Sequence, residues 1–181
     1  MIRIWHPMRD PHHCSFRMMA LRLATTRQLS VPRASLLDTF LLFPEYLHEI
    51  QYKGFGSLRS SLRDLEIPKP SDSFVSLPDI RTVFRELQVF QKAALRQLVA
   101  KNILSADAFK EGKLTLSSKG IPDELKQVLQ AFVSENSRQL WFITDELSEI
   151  PLDGPTGLLR RANLELGGRF RSCRLSSNLI A

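Results

Sequence analysis

From residue 35 onward the apolar positions fall into helical order. Leu36, Phe40, Phe43, Leu47 and Ile50 recur at spacings of four, three, four and three within SLLDTFLLFPEYLHEI, a stripe of the kind a helix buries against a neighbour. Pro44 interrupts it. A continuous helix would there lose its backbone bond to Phe40 and clash with that carbonyl, at about 3 kcal/mol. The stripe therefore predicts two short helices meeting at a corner. Ser35 caps the first, with Asp38 in its first turn, and Pro44 opens the second at the position where its missing N–H costs nothing. Such a bent pair suits a small protein that fits around partners.

GFGSLRSSLRDL (54–65) places Leu58, Leu62 and Leu65 on one side of a short helix and Arg59 and Arg63 on the other. The Pro/Ser-rich run 66–78 reads as a connector. Pro78 and Asp79 then open a helix in which Phe84, Leu87, Phe90, Ala94, Leu95, Leu98 and Val99 keep a helical period to about Asn102. In KNILSADAFKEGKLTLSSKGIPDELKQVL (101–129) a helix ends, Lys113 to Leu116 alternates as a strand, and Ser117 to Gly120 turns. Pro122, Asp123 and Glu124 begin another helix. This order is the skeleton of a winged helix. The next helix is expected to run from Pro122 to about Glu149, about 42 Å if unbroken, its apolar face interrupted by the polar Ser134 to Gln139. Pro151, Asp153-Gly154-Pro155 and Gly157 stop it, and 162–170 reads as an edge strand.

The expectation is a mainly α fold with a winged-helix-like core, one long helix and few short strands. Residues 1–30 show no periodicity and read as a loosely ordered basic leader, 31–166 as a single domain, and 167–181 as a frayed tail. Met18 and Met19 offer later starts that would exclude the first seventeen residues.

Composition changes this picture little. The 181 residues are 43% hydrophobic and 24% charged, ordinary for a globular chain with a real core. No apolar run reaches the roughly 20 residues of a membrane span, and the N-terminus lacks a secretory h-region. Cys14 and Cys173 form no disulfide framework, so a reducing cytoplasm is the default. The net charge of +6 is unevenly placed: +5 in residues 1–33, −3 in 34–159 and +4 in 160–181. A DNA-binding surface on the body has weak support on that count.

Chemistry-bearing motifs are sparse. No phosphate-binding glycine loop and no nucleophile elbow occurs. The HHC run at 12–14 lacks the paired spacing of a zinc site. His48, beside Glu45 and Glu49, reads as solvated, and Asp145, Glu146 and Glu149 as a solvated carboxylate face with no base or nucleophile nearby. The sequence assigns no catalytic, cofactor-binding or metal-binding residue, and an enzyme on an unfamiliar fold has nothing positive behind it. Two candidate contact sets remain. The Pro/Gly-rigidified loop PLDGPTGLLRR, projected by the preceding helix, offers Leu152, Asp153, Gly154, Pro155, Thr156, Arg160 and Arg161 to a partner. Lys92 and Arg96 share a helix face and are candidate phosphate contacts.

Taken in order, LLDTFLLFPEYLHEI, RELQVFQKAALRQLVAKNIL, KLTLSSKGIPDEL and SEIPLDGPTGLL resemble the middle components of ABC-three-component systems. The Lamassu-type accessory subunit of anti-phage or anti-plasmid defence is the member most like them. The resemblance spans about residues 33–166. It implies a non-catalytic subunit that docks on an SMC-like or ABC-type ATPase and helps restrain an effector such as a nuclease. DNA contact would be at most non-specific, with no membrane and no cofactor involved. The alternative is a winged-helix DNA-binding transcriptional regulator, for which residues 88–102 offer only Lys92, Arg96 and Lys101 as recognition-helix cations.

Overall fold

The computed structural model describes residues 7–70 and 77–164, and at its centre lies a helix with no apolar stripe. Helix α1 (Pro11–Ala24) begins at Asp10, whose side chain accepts from the His12 backbone N–H at 2.8 Å, with Pro11 in the first turn. Cys14, Ser15, Arg17, Met18, Met19, Ala20 and Leu21 are all buried. A helix covered on every side has no amphipathic period to read. The loosely ordered leader expected for residues 1–30 is thus corrected over 11–24. Cys14 and Arg17, which precede Met18 and Met19, are buried.

Four later helices pack around this one. After β1 (Leu29–Ser30) comes α2 (Val31–Leu42), then a 3-10 turn Pro44–Glu49, α3 (Gly56–Asp64) and α4 (Ile80–Ala100). They are followed by α5 (Ala106–Lys110), β2 (Lys113–Leu114), α6 (Asp123–Glu135), α7 (Ser137–Thr144), a 3-10 turn Glu146–Glu149 and α8 (Leu158–Arg161). The fold is mainly α. Helix α1 packs against α2, α4, α6 and α7, and α2 also packs against α4 and α7.

The corner at Pro44 forms, and Leu36, Phe40, Leu47 and Ile50 are buried there. The first helix starts earlier than expected: Ser30 is its cap, its hydroxyl accepting from the Arg33 N–H, so Asp38 is a mid-helix residue rather than a first-turn acid. Helix α4 buries Val83, Phe84, Leu87, Ala94, Leu95 and Leu98, close to the expected face.

The long helix expected over 122–149 is three pieces. The polar stretch 134–139 is where it breaks: Asn136 ends α6, its side-chain amide donating to the Phe132 carbonyl at 2.9 Å, and begins α7. Breaking there lets both pieces pack on α1. Val128, placed on the apolar face by the sequence period, is 58% exposed on α6.

The strand in KLTLSSKG pairs with Leu29–Ser30, Leu29 opposite Leu114 and Ser30 opposite Lys113, and an isolated bridge joins Leu104 to Leu116. Helix α5 lies between helix α4 and β2. The expected strand over 162–170 and the tail 167–181 fall largely or wholly outside the described residues.

Candidate functional site

The loop 150–161 is short of flexible joints. The Leu158 N–H donates to the Pro151 carbonyl at 2.7 Å and the Leu159 N–H to Leu152 at 3.1 Å, closing residues 152–157 into a lobe. Two glycines allow this. Gly154 has φ +99°, a region that disfavours side chains. A Cβ on Gly157 would lie 2.5 Å from the Asp153 carbonyl carbon, so the chain doubles back too closely for any other residue.

The lobe does not project on a long helix, as the sequence suggested; it is laced to the body. Arg161 Nε donates to the Thr156 carbonyl at 2.7 Å, its Nη1 donates to Gln51 and Lys53 carbonyls at 2.5 and 3.0 Å, and its guanidinium lies over the Phe55 ring at 4.9 Å. From the other side Arg33 donates to the carbonyls of Leu147 and Ile150 at 3.3 and 2.7 Å. Burial pushes the Arg33 pKa down, and nearby Asp153 opposes that shift. Both arginines donate to carbonyls at helix ends and turns, and that of Leu147 also accepts from the Ile150 N–H at 3.2 Å.

The seven loop candidates therefore separate. Asp153, Gly154, Pro155, Thr156 and Arg160 are exposed, Leu152 is half-buried against the core, and Arg161 is a clamp. Lys92 and Arg96 are exposed on α4. Arg33 was not singled out in the sequence, because its acceptors lie 114 and 117 residues away.

A second cluster is wholly internal. Asp38, 0% exposed on α2, accepts from Arg17 Nε at 2.6 Å and Nη2 at 3.2 Å, from the Gln91 amide at 2.9 Å, and from the Cys14 thiol at 3.8 Å. Gln91 also donates to the Ser35 carbonyl. One carboxylate thus fastens α1, α2 and α4. Burial pushes the Cys14 thiol pKa up, reinforced by the Asp38 charge, so this thiol is poorly suited to nucleophilic chemistry. The sequence signal was available: a charged residue within the apolar run LLDTFLLF.

Asp145, expected on a solvated face, is half-buried and accepts from the hydroxyls of Thr25 and Thr144 and pairs with Arg27 at 3.3 Å. His48 Nε2 lies 2.9 Å from the Ile67 carbonyl. Among the described residues no group of three His, Cys, Asp or Glu side chains is placed to hold a metal, and no helix is long and apolar enough to cross a membrane.

The family model described as ABC-three component (ABC-3C) system Middle Component 5 matches residues 3–166. No curated protein and no solved structure matches the chain.

Proposed function

Because the chain belongs to the middle component 5 family of ABC-three-component systems, we propose that it is a non-catalytic accessory subunit of such a system. In this reading it links an SMC-like or ABC-type ATPase to an effector such as a nuclease, in a cytoplasmic, Lamassu-like defence complex that uses no cofactor of this chain. The observation that carries the reading is the family match across residues 3–166. The loop supports it: Asp153 to Thr156 are presented to solvent on a backbone held by Arg161 and Arg33, the arrangement of a preorganised contact rather than a mobile connector.

The test is co-expression with the two neighbouring components and purification through a tag on this chain. Asp153→Ala, Thr156→Ala and Arg160→Ala together leave the clamps intact and should shift stability by less than about 0.5 kcal/mol each. Loss of the other components from the purified complex, with an unchanged melting curve, is the expected result. Retention at wild-type stoichiometry would remove the loop from the interface, and failure of any component to co-purify with the wild-type chain would overturn the subunit reading.

A further inference from the structure

Helix α4 carries a segregated row of cations on its outer face. At 100° per residue, Arg81, Lys92, Arg85 and Arg96 fall within an arc of about 60°, on the side away from Val83, Leu87, Gln91, Ala94 and Leu98. Exposed Val89 lies beside them. The row extends about 22 Å along the helix at 1.5 Å per residue. The acidic residue within α4, Glu86, lies off the row and pairs with Arg9 at 3.8 Å. Among the described residues no carboxylate pairs with Arg85, Lys92 or Arg96. Arg81 donates to the backbone and side-chain oxygens of Asn163, neutral acceptors that leave its charge uncancelled.

We infer that this face of α4 binds the phosphate backbone of duplex DNA, without reading its sequence. The net −3 of residues 34–159 concealed it, since a sum over the body averages a basic row with acids that lie elsewhere on the chain. Duplex DNA presents one negative charge per about 1.7 Å of axis, so a straight row of cations meets phosphates along its whole length without a special register. Such contacts position a protein on nucleic acid and carry no sequence information. The inference is independent of the subunit role, because it concerns the isolated chain and a different surface from the exposed lobe.

The experiment is fluorescence anisotropy of the full-length protein with two labelled duplexes of unrelated sequence, between 50 and 200 mM salt. Four phosphate contacts give a slope of about −3.6 in log K against log salt, or about 150-fold weakening over that range. Both duplexes should bind alike, in the roughly 10⁻⁴ to 10⁻⁶ M range near physiological salt. Arg85→Ala, Lys92→Ala and Arg96→Ala together should bring the slope to about −0.9, or about 3.5-fold. Arg85→Lys with Arg96→Lys should leave it unchanged, and guards against a fold defect being read as lost contact. The inference is overturned if the slope survives the triple alanine change, or if Arg169→Ala, Arg171→Ala and Arg174→Ala abolish binding instead. It is equally overturned if the wild type ignores DNA and the α4 change releases a partner component, which would make the row a docking face for an acidic protein surface.

Discussion

Replacing Arg17 by Met removes the guanidinium that supplies two of the contacts to Asp38. What remains around the carboxylate is one amide donor from Gln91 and a long, weak thiol contact from Cys14. Asp38 is 0% exposed and the Arg17 side chain 7%, so water cannot take the guanidinium's place without opening the seam between α1, α2 and α4. Breaking a buried pair by removing one partner costs about 3–5 kcal/mol. For a chain of this size each kcal/mol moves the melting temperature by about 2–4 °C, so a fall of about 6–20 °C is expected by circular dichroism, with a matching drop in urea midpoint at constant m-value. Arg17→Met combined with Asp38→Leu should recover most of the loss, since a buried ion pair exchanged for apolar groups of similar volume is often neutral or better. Gln91 then keeps its bond to the Ser35 carbonyl at 2.9 Å. A single variant within about 1 kcal/mol of wild type, or a double variant whose loss equals the sum of the two singles, would refute the reasoning, because the two side chains would then be energetically independent.

The chain's two tyrosines report on alkaline stability. Burial, with Glu49 nearby, pushes Tyr46 up to about 12, and burial raises Tyr52 as well. Both folded values lie above the ordinary phenol value of about 10, so their contribution is complete below that pH and is lost at higher pH, that of Tyr46 as pH rises through about 12. Tyrosinate absorbance at 295 nm should therefore rise only together with unfolding; reversible titration near pH 10 in a folded protein would contradict it. Phe40→Ala and Leu98→Ala should each cost about 2–5 kcal/mol, as both side chains are essentially inaccessible. An unchanged melting temperature would mean those faces are not packed as described.

What could be read from the sequence followed one rule: elements with one wet and one dry face announced themselves. Helix α4 alternates buried Leu87, Ala94 and Leu98 with exposed Arg85, Lys92 and Arg96, and its limits were visible from Asp79 onward. Helix α3 likewise shows Leu58 and Leu62 inward. Helix α1 was invisible because it has no wet face over residues 17–21. The break at Asn136 was masked because apolar residues resume on the far side in nearly the same phase. The lobe was recognised as rigid from its Pro and Gly residues. The arginines that hold it were not, because Arg161 reaches Gln51 across 110 positions and Arg33 reaches Ile150 across 117. Local pattern carries no information about such pairings.

The central position of α1 has a consequence for how the chain comes to be folded. This helix precedes every helix that covers it, and the last of them come late: α6 and α7 follow by about a hundred residues, and Thr25 at its end waits for Asp145, 120 residues on. At about 5–20 residues per second, the nascent helix stays without its final partners for about 6–24 s. A release before residue 145 would strand Met18, Met19 and Leu21 in water, a species open to aggregation and proteolysis. Synthesis of α6 and α7, rather than emergence of α1 itself, is then the event that allows this helix to reach its native surroundings.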